Sequence, residues 1–326
     1  MEAKKIHREI SEEIYAFLRK NDNYLLSAHV NADGDAIASV IAMGLLLEKL
    51  DKQYEMVLHD QELDFRFTYL KNFKKIKPFS KNGIYKIKNA VILDVPGLKR
   101  LGDVAALLPE KSQIIKIDHH PVEDDFASLN LVDEEASSST RLVYEIIEAA
   151  GMEIDTDMAN AIYTGIIYDT GRLSFSNTSS RDLYICGRMI DLGVDPSEIT
   201  NRIFFENSFE ALRTIGKGLA TMENYLDGQV NVIYLDNDTM KSNHQGEIEE
   251  LANYSVAIRG GKVGVFIREV NPGLHKISLR AKYGINVNSV ARAFNGGGHT
   301  RAAGCRIEGS KSEVIDKLIR EIARSL

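Results

Sequence analysis

The sequence predicts an α/β protein, a parallel-sheet domain joined by a linker to a smaller α/β domain. Three observations predict it. The apolar runs Tyr24-Leu25-Leu26-Ser27-Ala28-His29, Ala90-Val91-Ile92-Leu93-Asp94 and Ile114-Ile115-Lys116-Ile117-Asp118 have strand length and are separated by helix-like stretches, as in βα units. Each run ends on or beside a histidine or an aspartate. Strand-like alternation returns at Val230–Leu235, Lys262–Val270 and His275–Ala281, followed by a glycine-rich stretch.

The elements follow in order. Met1–Lys20 is charged and helix-like, with Ile6, Ile10, Ile14 and Phe17 at helical spacing. The strand ending at His29 is followed by an apolar helix, Ala36–Leu50, nearly free of polar residues before Glu48. Glu55–Leu58 is a further strand. Ser137-Ser138-Ser139-Thr140 supplies hydroxyl caps for the helix that begins near Leu142. Ala159–Tyr168 and Arg181–Leu192 are helices, the second closed by Gly193. Ser312–Leu326 is the last helix. The expected domains are 1–190 and 210–326, with 191–209 as connector.

Bulk properties narrow the function. The 326 residues are 44% hydrophobic and 27% charged, as in a water-soluble globular protein. No apolar run spans a bilayer and no signal-peptide core leads the chain, so the cytoplasm is the expected location. Cys186 and Cys305 form neither a zinc spacing nor a disulfide framework. The net charge of −7 is uneven: residues 225–326 hold 14 basic against 11 acidic residues, and residues 1–224 hold 26 against 36. That balance excludes a binder of long duplex nucleic acid, which needs a strongly basic surface. It suits metal capture in the first part and phosphate capture in the second.

The candidate chemistry lies in short acidic and histidine-bearing segments. In a parallel sheet, ligands sit beyond the carboxyl ends of the strands, where His29, Asp94 and Asp118 converge. In His29-Val30-Asn31-Ala32-Asp33-Gly34-Asp35, two carboxylates flank a glycine that lets the chain bend and reach two metals. The alternative is that Asp35 only caps the following helix. Asp94 after four apolar residues is costly unless it is paired or ligates a cation, and it is the natural bridge between two metals. Asp118-His119-His120 offers one histidine to metal and one to substrate, because successive side chains diverge. Asp169, after an apolar helix, completes an acidic ligand set. Gly296-Gly297-Gly298-His299-Thr300-Arg301 reads as a backbone anion cradle or as a plain turn, with Arg280 and Arg301 as phosphate contacts.

These segments together resemble the DHH phosphoesterases, and within them the NrnA-like nano-RNases that also act as pAp phosphatases. The first motif is matched by His29 to Ala36, the second by Asp94, the third by Asp118-His119-His120 and the fourth by Thr164-Gly165 through Asp169-Thr170-Gly171, with Asn177-Thr178 downstream. A C-terminal DHHA1 domain is matched by Ser278-Leu279-Arg280 and by Gly296 through Gly304. Ala32, Asn295 and the context Asp94-Val95-Pro96 depart from the group's usual residues, but no ligand is lost.

The resemblance implies two divalent metal ions, Mn²⁺, one held by His29, Asp33 and Asp94, the other by Asp35, Asp94, His119 and Asp169. It implies that His120 contacts the scissile phosphate and that Arg280, Gly297, Gly298, His299 and Arg301 hold the rest of the nucleotide in a cleft between domains. Asp94 and His120 carry the chemistry. The implied activity is hydrolysis of very short oligoribonucleotides to mononucleotides and of pAp to AMP. Hydrolysis of linear dinucleotides such as pApA and pGpG, or of pyrophosphate or polyphosphate, is an alternative within the same chemistry. A catalytically inactive nucleotide-binding regulator is an alternative of another class. The expected partners are short nucleotides, with no membrane; a homodimer stays open.

Overall fold

The computed structural model describes residues 2–239, 247–282 and 284–326, with the side chains of residues 2–6 and 247 left aside. Met1 and the side chain of Ile6 in the expected first helix therefore lie outside the described residues. The chain divides into two compact units, 1–205 and 206–326.

In the first unit, six parallel strands form a sheet in the order β3-β2-β1-β4-β5-β6. They are Tyr24–Ser27 (β1), Tyr54–Leu58 (β2), Lys77–Pro78 (β3), Asn89–Leu93 (β4), Ile114–Asp118 (β5) and Leu129–Val132 (β6). The strand order reverses at β1, which pairs with both β2 and β4. The crevice beyond the carboxyl ends of β1 and β4 is the switch point where such sheets bind ligands.

Alternation sorts the strand residues into two cores. Tyr24, Leu26, Val91, Leu93, Ile115 and Ile117 face the helices Glu2–Lys20 (α1), Gly34–Lys49 (α2), Ser139–Ala149 (α3), Thr156–Asp169 (α4) and Ser180–Asp191 (α5). Leu25, Ala90, Ile92 and Ile114 face a smaller core closed by Val95, Leu101, Val104 and Phe126. The cover on this second face is a kinked 3₁₀ segment, Leu98–Leu107, broken at Gly102 with φ 62°. Helix α2 is buried on every side from Gly34 to Leu47, which accounts for its unbroken apolar sequence.

The first unit runs on past residue 190, where the sequence reading ends the first domain. Pro196–Thr200 (α6) and the π-helical turn Asn201–Phe205 belong to the first unit, because Ile199 and Ile203 are buried in its helical core. The expected connector 191–209 is thus mostly part of that domain.

The second unit carries a mixed sheet in the order β11-β12-β10-β9-β8-β7. Its strands are Glu223–Tyr225 (β7), Val230–Leu235 (β8), Val263–Asn271 (β9), Leu274–Ala281 (β10), Gly297–Gly298 (β11) and Ala302–Glu308 (β12). One face packs on Val287–Arg292 (α9) and Lys311–Ala323 (α10). The other packs on Phe209–Ala220 (α7) and Glu250–Val256 (α8). Both cysteines are buried thiols, pushed up to about 12 by that burial. Among the described residues, no helix is long and apolar enough to cross a membrane.

Candidate metal centre and nucleotide-binding segments

The carboxyl ends of β1, β4 and β5 gather His29, Asp94, His119 and His120, the start of α2 brings Asp33 and Asp35, and the end of α4 brings Asp169. Asp33, not Asp35, caps α2: its Oδ1 accepts from the Asp35 and Ala36 amides at 3.0 and 3.2 Å. The capping alternative for Asp35 is thereby excluded. The Asp35 carboxylate instead accepts the Ser139 amide at 2.7 Å and the Thr140 amide at 3.0 Å, the first free N–H groups of α3. Gly34 is also reinterpreted. Its φ is not positive, so the chain does not need it for a bend; a Cβ there would lie 2.4 Å from the Tyr168 ring. The left-handed residue of this loop is Asn31, at φ 57°. Asp60, which has no sequence pattern of its own, clamps the loop by accepting the Asn31 and Ala32 amides, each at 2.9 Å.

Asp94 is the centre of the arrangement. Its Oδ2 lies 3.3 Å from His29 Nε2 and its Oδ1 3.4 Å from His119 Nε2. His119 Nε2 also faces Asp169 at 3.2 Å and Asp35 at 3.9 Å, while His29 Nε2 faces Asp33 at 4.0 Å. Asp94 itself has φ 60°, an uncommon backbone state for a non-glycine residue that is typical of functional sites. Ser139 Oγ donates to Asp94 Oδ1 at 2.9 Å. Asn177 donates to the Asp169 carbonyl at 3.0 Å and the Ser137 carbonyl at 3.2 Å, tying the end of α4 to the start of α3.

Gly165, in the middle of α4, makes this convergence possible. A Cβ there would stand 2.1 Å from Thr140 Oγ1 and 2.9 Å from Asp35 Oδ1.

The electrostatics favour cations. Burial pushes Asp33 up to about 6, with Asp169 and Asp94 adding to the rise and His29 opposing it. Burial, Asp94 and Asp169 hold Asp35 well above the usual carboxylate range. Burial works against the charge of Asp94 too, yet hydrogen bonds from His119 and His29 hold it well below that range. Burial likewise opposes the charged form of His29, but Asp94 and Asp33 push it up to about 9. His119 is held well above its ordinary value by Asp169 and Asp94, again against burial. Buried carboxylates in such number are costly without positive charge among them.

The donor set fits divalent ions. His29 Nδ1 donates to the Val30 carbonyl at 2.9 Å and His119 Nδ1 to the Ala136 carbonyl at 3.3 Å, so each ring presents Nε2 to the carboxylates. That is the outer-shell pattern of metal-binding histidines. Two groups of side chains, His29 with Asp33 and Asp94, and Asp35 with Asp94 and His119, each have ligand atoms within 4.8 Å of one another. Both contain Asp94.

The adjacent histidines diverge. The His119 and His120 rings meet edge to face with centroids 4.6 Å apart. His120 Nδ1 lies 2.9 Å from Asp118 Oδ1 and 3.4 Å from Asp94 Oδ1.

In the second unit, Arg280 pairs with Ala302 across β10 and β12, and Gly297 and Gly298 pair with Gly304 and Ala303. Arg280, Gly297, Gly298, His299 and Arg301 are therefore brought to one end of this hairpin. The glycines have backbone reasons: a Cβ on Gly296 would lie 2.2 Å from the Gly304 carbonyl oxygen, and Gly298 has φ 141°. The hairpin turn is closed by the His299 amide donating to the Ala302 carbonyl at 2.8 Å. Asn295 takes φ 57° just after α9, a left-handed role open to asparagine as well as glycine. Arg280 Nε donates to Asn253 Oδ1 at 3.1 Å, which orients its guanidinium.

Known proteins share this organisation. A family model described as the DHH family, N-terminal domain, matches residues 23–166, and a DHHA1 domain model matches residues 227–326. The bifunctional oligoribonuclease and PAP phosphatase NrnA of Thermus thermophilus is 27% identical over 310 residues, covering 92% of this chain and 90% of that protein. The Bacillus subtilis protein of the same name is 28% identical over 292 residues, covering 88% and 90%. An exopolyphosphatase-related protein from Bacteroides fragilis shares the fold, with a TM-score of 0.87 at 24% identity over 97% of this chain and 96% of that one. The two domain models follow one another in the order the motifs require, and together they span about three quarters of the sequence: the first unit carries a DHH domain and the second a DHHA1 domain.

Proposed function

We propose that this protein is a two-metal phosphoesterase that hydrolyses very short oligoribonucleotides to mononucleotides and pAp to AMP. One observation carries the reading. Asp94, at the switch point, divides its two carboxylate oxygens between two imidazoles, each backed by further carboxylates. A bridging carboxylate of this kind is what a pair of metal ions needs. The similarity to NrnA proteins over most of the chain supplies the substrate class.

In this reading His29, Asp33 and Asp94 hold one divalent ion and Asp35, Asp94, His119 and Asp169 the other, with Mn²⁺ as the native metal. Such ions supply Lewis acidity and activation of water for in-line attack on phosphorus. Residues of the chain do the rest. Asp35 is fixed by the α3 amides and Asp33 by its own cap, so the ligand frame is set before substrate arrives. His120 donates Nδ1–H to Asp118, and as the imidazolium it would also donate Nε2–H to the phosphate, steadying charge as the ester oxygen leaves. Arg280, Arg301, His299 and the backbone of Gly297 and Gly298 hold the remainder of the nucleotide. Hydrolysis adds water across one P–O bond, giving a phosphate monoester or inorganic phosphate and a free hydroxyl.

The test is incubation of purified protein and Mn²⁺ with pAp, labelled dinucleotides and a long RNA. Turnover of pAp and of the dinucleotides ahead of the long RNA is expected. Preference for the long RNA sinks the reading, and binding of nucleotide with no more turnover than Asp94→Ala shows a regulator instead.

A further inference from the structure

We infer that Lys116 is a positioning residue for His120, acting through Asp118. Lys116 sits in the middle of β5 and is 1% exposed, on the sheet face covered by the 3₁₀ segment. A lysine so placed is rare and costly unless its ammonium is fully engaged. Here Nζ donates to the Pro96 carbonyl at 2.7 Å and stands 3.4 Å from Asp118 Oδ2, an ion pair rather than a hydrogen bond. The Phe126 ring lies 5.4 Å from the same nitrogen. Strand periodicity puts Lys116 and Asp118 on one side of β5. Asp118 Oδ1 then accepts from His120 Nδ1 at 2.9 Å and from the His120 amide at 3.2 Å.

The two oxygens of Asp118 thus have separate partners, a buried cation on one and an imidazole on the other. The cation fixes the carboxylate, and the carboxylate fixes both the plane of the His120 ring and its tautomer. Through Pro96 the same ammonium pins the chain two residues after Asp94. Lys116 therefore locks the Asp94 turn and the His120 ring to one point without touching metal or substrate. Replacing it with an apolar residue leaves a buried carboxylate without its counter-charge and a buried carbonyl without its donor, and frees the ring to rotate.

The inference rests on the proposed role of His120 at the phosphate for its kinetic consequence. A double-mutant cycle of Lys116→Met and His120→Gln with Mn²⁺-loaded protein and pAp tests it. Lys116→Met is expected to lower kcat by about 10–100-fold, the usual cost of losing an outer-shell partner, with KM and Mn²⁺ affinity little changed. In the His120→Gln background the same change is expected to cost less than about threefold, because coupled residues are not additive. Equal losses in both backgrounds overturn the inference, as does an unchanged kcat in Lys116→Met. If Lys116→Met does not fold, Asp118→Asn is run through the same cycle with the same expectations. A second measurement needs no turnover. ¹⁵N spectra of the histidine rings, taken where His120 is neutral, are expected to show its Nδ1–H tautomer in the wild type and loss of that preference in Lys116→Met. An Nε2–H tautomer in the wild type overturns the inference. Failure of the wild type to turn over pAp or short RNA, with the spectra as expected, removes the proposed function and leaves the positioning role standing.

Discussion

The acidic edge of the first sheet and the β10–β12 hairpin end of the second unit are built in opposite ways. At the acidic edge, side chains make the arrangement and the backbone is subordinate. Asp35, Asp94 and His119 are buried, and each is held by amides, hydroxyls or carbonyls from another element. At the hairpin, the backbone sets the shape. Glycines 296 and 298 exist because strands approach too closely for a Cβ, and exposed Arg301 projects from the turn. The difference teaches where tolerance would lie: mutually supporting buried charges would fail as a unit, whereas half-buried Arg280 and exposed Arg301 on a fixed backbone would give way by degrees.

Four substitutions sharpen that contrast. Asp94→Ala removes the proposed shared ligand and is expected to reduce turnover by at least ~10³-fold, as when one member of a concerted constellation is lost. Titration calorimetry with Mn²⁺ is expected to lose binding at the same time; a variant that still binds two ions breaks the bridging assignment. Gly165→Ala comes next. Its methyl would meet Thr140 Oγ1 at 2.1 Å, so α4 must shift. Overpacking of this kind costs about 1–3 kcal/mol, readable by urea denaturation, and turnover falls as Asp169 moves with the helix. Arg280→Ala is expected to raise KM about 10-fold with kcat nearly unchanged, the signature of lost ground-state binding by a charged hydrogen bond. A fall in kcat instead would place Arg280 in the reacting machinery.

The smallest effect is a pH effect in the second unit. Burial alone would raise Glu249, but Lys276, Arg268, the Ser278 hydroxyl and Arg280 lower it from 4.5 to about 2. A depressed carboxyl stabilises the fold above its unfolded value, and that stabilisation is lost as pH falls from about 4.5 towards 2. Glu249→Gln is expected to be less stable at neutral pH and to show a flatter acid limb in that window. Parallel acid limbs for the two proteins would remove Glu249 from the account.

Much of the acidic edge is legible in the sequence because charged residue types stand at the ends of apolar runs. His29, Asp33, Asp35, Asp94, His119 and Asp169 are found that way, and the structure brings all six together. Their supports are not legible. Asp35 is held by helix α3 more than a hundred residues away, and Asp60 reaches back to Asn31 from the end of β2. Lys116 reads as an ordinary polar position of a strand, because the 3₁₀ cover that buries it has no helical period to announce it. The boundary near residue 205 was hidden for a related reason: Ile199 and Ile203 lie in short turns whose burial depends on tertiary contact alone. In the glycine stretch two reasons stay superposed, since backbone approach and anion binding ask for the same residue.

The seating of Asp35 on the first amides of α3 has a consequence for supply. The most buried of the proposed ligands is oriented by the polypeptide itself, so in the proposed reading the frame would form on folding and the ions would enter it afterwards. Starvation for metal would then leave a full complement of folded but silent molecules, ready to switch on together when the ion returns, and an immunoblot would read constant while the activity in the same extract rose and fell.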